Sequence, residues 1–411
     1  MAILITTELL GEHPKLNEIT INGRELSTSW LRGGDGLIGF GKWRSTSVFG
    51  ANRFRDARTW WTQQLANLSI QNSVHGSGTG PLLFTSFAFD ESQESKLVIP
   101  EVVIGQKSGK SWITWIGSEH QPSVGARATS EPNGEIEWSA GALSDEKWKV
   151  QVSKAVELIK SGNLEKVVLA RDLIAMSSGE ISPSKIIDYL VDNYPTTWVF
   201  LVSSLIGATP ELLVRLSKSL VTSRVLAGTI RKTGDESRDL GLAASLAKSS
   251  KDLEEHEYAV SSVAQAIAPY CSSTNVPEVP FVLHLANLMH LATDVTGVIN
   301  DAATPVDVFT LLQSLHPSAA VCGTPTAAAS ALIAELEEMN RGRYAGPVGW
   351  VDARGDGELG IALRTGELSP DKKSMRIFAG CGIVAGSIPE DELAESQAKF
   401  TPMRTALETR A

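Results

Sequence analysis

Short apolar runs bounded by turn-forming residues recur through the first 140 residues of the chain. The runs PLLFTSFAF, KLVIPEVVIG and SWITWIG are rich in aromatic and β-branched side chains, which favour a pleated sheet. Eight of the ten tryptophans also fall before residue 150. A stretch rich in Ser, Gly and Asn, residues 69–80, has the composition of a surface loop. The pattern predicts a β-rich N-terminal part whose strands are joined by hairpins.

After residue 140 the apolar positions take the spacing of helices that alternate with strands. Ser144 is the predicted N-cap of a helix that Gly162 ends, and the strand KVVLARDLIAM follows from Lys166. Residues 237–269 are predicted to be helical, and a further helix is predicted from Thr326. Strands and helices are interspersed without regular βαβ spacing, which predicts the α+β class with large antiparallel sheets. Because no linker is visible, we expect one large domain.

Composition and charge restrict the classes of function. With 42% hydrophobic and 20% charged residues, the 411-residue chain has the composition of a soluble globular protein. A net charge of −10 argues against nucleic acid as the main partner. No apolar run is long enough to span a bilayer, and the N-terminus lacks the basic region of a signal peptide. We therefore expect a cytoplasmic protein without a membrane partner.

Two patterns that would indicate a cofactor or a structural metal are weak. Residues 34–39 fit the dinucleotide fingerprint GxGxxG, but no clear strand precedes them and a poor helix start follows. The three cysteines are too few and too scattered for a disulfide framework or a zinc site. We therefore expect no organic cofactor.

The densest set of charges in apolar surroundings lies near the C-terminus. Arg364 follows the strand-like run GIAL, and Gly380 lies in a loop of small residues. Glu392, Glu395 and Lys399 recur at i, i+3 and i+7, so they share one face of a helix. An arginine, open backbone amides and a carboxylate–lysine face suit an anionic small molecule and its metal ion. The alternative is a surface helix that carries a Glu395–Lys399 ion pair.

A second set of charged and small polar residues lies upstream. Lys166 opens an apolar strand, either as a strand-end lysine that reaches water or as a desolvated lysine whose neutral amine can take a proton. Glu211, between a turn proline and an apolar run, is either a solvated turn residue or a general acid. Glu255 lies just off the apolar stripe of its helix, as a boundary residue or as a metal ligand at the rim of a cleft. Gly228 and Thr229 offer a small residue and a hydroxyl group to an anion.

Nine short motifs occur in the order expected of one enzyme family. They are KVVLAR, GATPELL, LAGTIR, KDLEEH, HLATDVTG, LHPSAAVCGTP, YAGPVGW, GDGELGIALR and FAGCGIVAGSIPEDELAESQAK. On these motifs the chain resembles the chorismate-utilising enzymes, and among them the isochorismate synthases most closely, over residues 145–405. The resemblance implies a single α+β domain over residues 1–411, with layered antiparallel sheets at its centre and helices outside. Residues 1–140 carry no comparable motif and would complete the same fold.

The resemblance also implies a reaction, the magnesium-dependent conversion of chorismate to isochorismate by a monomeric enzyme. Water attacks C2 of the ring, the double bonds shift and the C4 hydroxyl leaves. Lys166 matches the family's general base for the water, and Glu211 matches the general acid for the departing hydroxyl. Glu255 and Glu395 match the carboxylates that hold Mg²⁺, and Glu392 matches a nearby acid that acts through metal-bound water. The substrate-binding positions are matched by Gly228, Thr229, His290, Tyr344, Arg364, Gly380 and Lys399.

Two alternative functions stay open beside this resemblance. A salicylate synthase would form isochorismate and then eliminate pyruvate from it with the same lysine, acid and metal carboxylates. A catalytically inactive relative would only bind a ligand or a partner, although the retained acid–base and metal residues disfavour it. Residues 315–320 read LHPSAA where relatives commonly have LHPTPA, so the backbone beside the pocket has one proline fewer. Product specificity is the expectation that this departure weakens, and the isochorismate would feed menaquinone or siderophore synthesis.

Overall fold

Strands and helices alternate along the chain, and the strands assemble into two large sheets. The structure, a computed structural model, describes residues 2–117, 120–127, 134–300 and 306–409. Within those ranges the strands form sheets of 13, ten and two strands, accompanied by eight α-helices. This arrangement confirms the predicted α+β class with layered antiparallel sheets.

The elements have the following bounds. The strands are β1 (Ile3–Leu9), β2 (Ile19–Ile21), β3 (Leu26–Arg32), β4 (Asp35–Phe40), β5 (Arg44–Val48), β6 (Leu68–Asn72), β7 (Leu82–Ser86), β8 (Ser95–Ile99), β9 (Val102–Lys107), β10 (Lys110–Ile116), β11 (Val124–Ala126), β12 (Ile136–Ala140), β13 (Lys166–Ser177), β14 (Trp198–Val202), β15 (Leu205–Thr209), β16 (Leu212–Ser217), β17 (Leu220–Arg231), β18 (Cys271–Asn275), β19 (Phe281–His284), β20 (Leu288–Ile299), β21 (Gly323–Thr324), β22 (Pro347–Asp352), β23 (Gly357–Ile361), β24 (Thr365–Leu368) and β25 (Ser374–Ile383). The helices are α1 (Arg53–Leu65), α2 (Asp145–Lys160), α3 (Pro183–Asn193), α4 (Glu236–Leu246), α5 (Ser250–Ile267), α6 (Val308–Leu315), α7 (Thr326–Leu336) and α8 (Pro389–Glu408).

Both large sheets combine strands from the motif-free N-terminal part with strands from the motif-bearing part. The 13-stranded sheet runs β12–β13–β25–β24–β15–β14–β3–β4–β9–β10–β1–β6, and β21 pairs with the start of β13. The ten-stranded sheet runs β18–β20–β17–β16–β23–β22–β7–β8–β5, with β19 on β20. The two parts of the chain meet where β14 pairs with β3 and where β22 pairs with β7.

The hydrophobic core lies between the two sheets and under the helices. Trp30 and Phe200 from the 13-stranded sheet and Phe84 and Val348 from the ten-stranded sheet belong to one buried cluster, so the sheets face each other. A second cluster packs α3 and α8 against β15 and β25. Helix α5 packs on β17 and β20, and α8 contacts both β25 and β17. The N-terminal part of α8 therefore lies where the two sheets come together.

Four predictions of local structure need correction. The helical region 237–269 is two helices, because Ser249 accepts a hydrogen bond from the Asp252 N–H and caps a new helix, α5. The N-terminal part contains α1, which the run of aromatic and apolar residues around it concealed. Residues 69–80 are only partly a surface loop, since the stretch overlaps β6, which pairs parallel with β1. The expectation that no clear strand precedes residues 34–39 is also wrong, because β3 precedes them; they lie largely in β4, in a hairpin with β3, and a strand rather than a helix follows.

Among the helices of the described residues, none combines the length and the apolar character that crossing a lipid bilayer requires.

Candidate active site

Buried charged side chains converge on one small cavity of about 50 Å³ between the two sheets. Its walls come from β13, β17, β20 and β25, from α5 and α8, and from the segments that follow β15 and β23. Nine of the twelve predicted site residues line it. They are Glu211, Gly228, Thr229, Glu255, His290, Tyr344, Arg364, Gly380 and Lys399. The other three, Lys166, Glu392 and Glu395, contact members of this set or lie beside them.

Lys166 lies at the bottom of the site and is fully buried. Its side chain has no exposed surface, which excludes the alternative of a strand-end lysine that reaches water. Its Nζ lies 3.2 Å from Glu255 Oε1, although the two atoms lack the alignment of a hydrogen bond. A Cβ on Gly382 would lie 2.0 Å from that same oxygen, so a side chain there would displace the Glu255 carboxylate from its place beside Lys166. The absence of a side chain at this position makes room for the lysine and the carboxylate.

Glu211 follows β15 at a turn and points its carboxyl group into protein. Only 4% of the residue is exposed, so the alternative of a solvated turn residue is excluded. Burial raises the pKa of Glu211 to about 8, against the opposing effects of a backbone hydrogen bond from Leu226 and of the Lys166 charge. A carboxyl group with such a pKa is protonated near neutral pH and can donate a proton.

His290 and Arg364 form a hydrogen-bonded chain that reaches Thr229. Arg364 donates from Nη2 to His290 Nε2 at 3.0 Å, and a guanidinium group can only donate. His290 therefore carries its proton on Nδ1, which lies 3.1 Å from Thr229 Oγ1 and 3.3 Å from the Gly228 carbonyl oxygen. Burial, and then the Arg364 charge, lower the pKa of His290 well below its ordinary value, which agrees with a neutral ring.

The backbone at two of these positions adopts the left-handed region. Gly228 has φ +76° at a bulge in β17, where a Cβ would lie 2.9 Å from the Asp252 Cβ atom. Arg364 has φ 48°, which is uncommon for a residue with a side chain. Such conformations persist when the surrounding structure holds them, and they concentrate at functional sites.

Tyr344, Gly380 and Lys399 form another side of the cavity. Tyr344 stacks on Phe378 with ring centroids 5.1 Å apart, and burial raises the pKa of its hydroxyl to about 12, so it stays a hydrogen-bond donor. A Cβ on Gly380 would lie 2.8 Å from that hydroxyl oxygen. Lys399 donates from Nζ to the Gly380 carbonyl oxygen at 2.8 Å and pairs with Glu395 at 2.5 Å. The side chains of Lys399 and Glu395 are only 10% and 22% exposed. The alternative of a surface helix that carries an exposed ion pair is therefore excluded.

Glu392 and Glu395 place two carboxylates side by side at the start of α8. Burial of Glu395 favours its neutral form, but the Lys399 charge and hydrogen bonds from Lys399 and Thr229 outweigh it and lower its pKa. Burial, and then repulsion by Glu395, raise the pKa of Glu392, although Lys251 Nζ pairs with it at 2.9 Å. Two adjacent carboxylates that compete for one proton form a site that a cation would stabilise.

These carboxylates fit a hard divalent cation such as Mg²⁺. Glu392, Glu395 and the Cys381 thiol bring one ligand atom each within 4.8 Å of one another. Burial raises the pKa of Cys381 well above its ordinary value, so the thiol stays protonated and is a poor ligand. The donor set is therefore carboxylate oxygen, which Mg²⁺ prefers. Glu255 lies outside this group of three, because its carboxylate pairs with Lys166 instead.

Three residues around the site were not among the predicted site residues. Lys251 lies one helical turn before Glu255 on α5, a spacing that could have placed it on the same face. His256 anchors α5 with hydrogen bonds to the Ala227 carbonyl oxygen at 3.3 Å and to Thr293 at 2.8 Å. Arg341 lines the cavity from the segment after α7. Its i, i+4 spacing from Glu337 is a local signal that could have marked it, whereas its contacts with Val168 and Val321 depend on the tertiary fold.

Comparisons with known proteins identify the family of the chain. The family described as "Chorismate binding enzyme" matches residues 32–408, so the match includes strands of the motif-free N-terminal part. The isochorismate synthase DhbC of Bacillus subtilis is 35% identical over 350 residues, which cover 82% of this chain and 84% of the relative. The isochorismate synthase MenF of Bacillus subtilis is 29% identical over 408 residues, which cover 90% of this chain and 85% of the relative.

A solved structure supports the fold. MenF from Escherichia coli, a menaquinone-specific isochorismate synthase, superposes with a TM-score of 0.80 over 99% of this chain and 95% of that chain. The two sequences are 23% identical, so this likeness concerns the architecture alone.

Proposed function

The chain belongs to the chorismate-binding enzyme family, and from that premise we propose that it is an isochorismate synthase, an isomerase that converts chorismate to isochorismate. One observation carries the proposal: a buried glutamate with a pKa of about 8 lines the cavity, and a fully buried lysine pairs with Glu255, which lines the same cavity. A reaction that adds water at one ring carbon and expels hydroxide at another needs such a base and such an acid.

In the proposed reaction the amine of Lys166 removes a proton from the water that attacks C2 of the ring. The new C2–O bond forms while the ring double bonds shift toward C4. The C4–O bond breaks, and the carboxyl group of Glu211 donates its proton to the departing hydroxyl, which leaves as water. The raised pKa of Glu211 supports this role, because an ionised carboxylate has no proton to donate. The reaction is an isomerisation, because one water enters and one water leaves.

The remaining side chains of the cavity suit a substrate with two carboxylates. Arg364 and Lys399 supply positive charge, and the Tyr344 hydroxyl supplies a neutral donor. Arg364 can still donate from nitrogen atoms other than Nη2, which is engaged by His290. We propose that Arg364 and Tyr344 hold the side-chain carboxylate and that Gly228, Thr229 and Gly380 let the ring approach the backbone closely. His290 orients the Arg364 guanidinium.

Glu392 and Glu395, with Glu255 nearby, would hold Mg²⁺, which when bound would supply a positive charge to the ring carboxylate. Within the protein, Glu255 also faces Lys166. We propose that this ion pair helps to hold the Lys166 amine in place beside the cavity.

The test is an assay of the purified protein with chorismate and MgCl₂, with products separated by chromatography and salicylate detected by its fluorescence. We expect isochorismate as the product, no salicylate above background, and loss of turnover in excess EDTA that added MgCl₂ restores. Salicylate as the main product would support the salicylate synthase alternative, and undiminished turnover in EDTA would contradict the metal assignment. No consumption of chorismate would overturn the proposal.

A further inference from the structure

One edge of β13 is completed by side chains rather than by a strand. β21 pairs with Lys166 and Val167 at the start of β13, and β12 pairs with the strand only from Leu173 onward. In the described structure no strand therefore runs beside residues 168–172 on this edge. Backbone groups at such an edge must find other partners when they are buried.

Backbone groups supply some of those partners, since the Val168 N–H donates to the Cys322 carbonyl oxygen at 2.8 Å and the Gly141 N–H donates to the Asp172 carbonyl oxygen at 3.1 Å. A buried ion pair supplies two more. Arg341 donates from Nη2 to the Val168 carbonyl oxygen at 2.8 Å, and the Ala170 N–H donates to Glu337 Oε1 at 2.7 Å. Arg341 Nε in turn donates to Glu337 Oε2 at 2.9 Å, so the two side chains act as one unit. Together they offer one donor and one acceptor to β13, as the missing strand would have done.

The same pair also holds the backbone at Val321, which lines the cavity. Arg341 donates from Nη1 to the Val321 carbonyl oxygen at 2.9 Å. Val168, Val321 and Arg341 all line the small cavity of the candidate active site, called the substrate cavity from here on. The Arg341 and Glu337 side chains are 3% and 2% exposed. Burying two charges carries a large desolvation cost, and an apolar pair would often stabilise a fold as well or better. The pair is therefore poorly explained by stability alone.

We propose that Glu337 and Arg341 are positioning residues for the reaction, which clamp β13 and the 321 segment and thereby fix the Lys166 amine against the substrate ring. This inference rests on the proposed function. Lys166 lies two residues before Val168 on the same face of β13, so a shift of the clamped backbone moves the amine directly. Neither side chain needs to touch the reacting atoms.

The first test is a substitution that removes the planar guanidinium group of Arg341 but keeps a positive charge at this position. Arg341→Lys can bond only some of the four acceptor atoms that Arg341 now reaches. We expect kcat to fall about 10–100-fold while KM changes less than about 3-fold, because a displaced reacting group costs orientation more than binding.

Arg343→Lys is the matched control. Arg343 is also an arginine buried to 2% exposure, and it donates to Ser86, Val202, Ser204 and Glu367 on the side away from the cavity. We expect a comparable loss of thermal stability but a kcat within about 2-fold of the wild-type value, because its acceptors lie outside the site. Equal losses of kcat in the two variants would reduce the Arg341 pair to a structural element and overturn the proposal.

A second pair of variants separates the hydrogen bond from the charge and covers the case in which Arg341→Lys does not fold. Glu337→Gln keeps an oxygen that can accept the Ala170 N–H, whereas Glu337→Ala removes it. We expect kcat of the Gln variant to exceed that of the Ala variant by about 10-fold, in line with an unpaired buried amide that lets the strand edge move. Equal kcat values would contradict the clamp.

Amide hydrogen exchange gives a readout that does not depend on turnover. In Glu337→Ala the peptide that contains Ala170 should exchange faster than in wild type and in Arg343→Lys, because its N–H has lost its acceptor. Unchanged exchange there would overturn the clamp even if the enzyme is active. A wild-type protein that does not turn over chorismate, with the exchange difference intact, would instead remove the proposed function and leave the clamp.

Discussion

Two cavities lie between the same pair of sheets, and they differ in size and in how their charges are compensated. The substrate cavity is small, at about 50 Å³. The second, here called the aromatic cavity, has about 500 Å³. Its walls include Trp30, Trp112, Trp198, Trp350, Arg215 and Glu358. Ligand pockets are commonly hundreds of Å³ in volume and lined by aromatic side chains, so size and lining alone would favour the aromatic cavity over the substrate cavity as the functional site.

In the aromatic cavity the buried charge is fully compensated. Glu358 accepts hydrogen bonds from the indole groups of Trp30 and Trp198 and from Arg215 Nε. Burial alone would favour its neutral form, but Arg215 and the hydrogen bonds outweigh burial and lower the pKa of Glu358. The carboxylate is therefore ionised and fully paired.

In the substrate cavity compensation is incomplete. The pKa of Glu211 is raised to about 8 because burial outweighs its surroundings, and Lys166 Nζ makes no aligned hydrogen bond. Groups held away from their usual protonation or pairing can exchange protons with a substrate, whereas satisfied groups cannot. The difference between the cavities supports the proposal that a buried carboxyl group with a raised pKa, rather than cavity volume, marks the reactive site.

The largest expected effect of breaking this contrast is at Lys166. Lys166→Ala removes the proposed base, so kcat should fall about 10²–10⁴-fold, the range for loss of general acid–base catalysis. Chorismate binding, measured by calorimetry, should persist because the anion-binding residues remain. Circular dichroism should show the wild-type fold. A variant that turns over near the wild-type rate would remove Lys166 from the chemistry.

Glu358→Gln is the counterpart in the aromatic cavity. It replaces a buried carboxylate that has three donors, so it should cost roughly 1–3 kcal/mol of stability through the lost charge-assisted hydrogen bonds. Turnover should stay within about 3-fold of wild type, because the site is distinct from the substrate cavity. The contrast between the cavities fails if Glu358→Gln loses as much activity as Lys166→Ala.

A loss of activity smaller than that of Lys166→Ala, but larger than that of Glu358→Gln, is expected at Arg364. Arg364→Ala removes the guanidinium that faces the substrate cavity and leaves a substrate carboxylate poorly compensated. We expect a loss of roughly 2–4 kcal/mol in transition-state stabilisation, measured from kcat/KM, in line with truncation of one partner of a buried charge pair. Arg364→Lys should recover only part of it, because an ammonium lacks the planar fork. An unchanged kcat/KM would place Arg364 outside the binding site.

Much of the fold was predictable because local signals agree with tertiary structure. The Ser144 cap and the apolar stripe of α2 predicted its bounds to within a residue or two, and β13 begins at Lys166 as expected. By contrast, α1 was missed because its sequence, RFRDARTWWTQQL, has no side-chain cap and carries paired tryptophans typical of strands. The strand β6 was missed because its pairing with β1 is parallel and long-range.

The residues of the site also fall into those that the sequence predicted and those that it did not. The chain resembles a known family, so its motifs pointed to residues that the structure does bring together, such as Lys166 beside Glu255. The roles of these residues stay predictions. What the sequence could not indicate are contacts that only the assembled fold creates, such as Arg341 on the Val168 carbonyl oxygen. The sequence alone does not show whether an arginine will be buried or exposed, because that depends on strands that are distant along the chain.

The smallest effect for a single step concerns the stability that Glu211 contributes with each unit of pH. Burial raises its pKa from the ordinary 4.5 to about 8 in the folded protein. Between these values the unfolded chain binds fewer protons than the folded one, so raising the pH favours unfolding. The contribution is fully present below the unfolded pKa and is lost as pH rises through the folded pKa. The slope from this one group is at most about 1.4 kcal/mol per pH unit.

Glu211→Gln should remove that slope, because an amide is neutral at every pH. The measurement is the free energy of unfolding in urea at pH 5, 6, 7 and 8. With each step up in pH, the variant should become more stable relative to wild type. Glu358→Gln should show no such trend over this range, because its folded pKa is lowered and its carboxylate is ionised throughout. Parallel curves for wild type and Glu211→Gln would mean that Glu211 titrates as an ordinary carboxyl group. The contrast between an uncompensated and a compensated buried carboxylate would then be lost, and with it the physical basis for Glu211 as the acid.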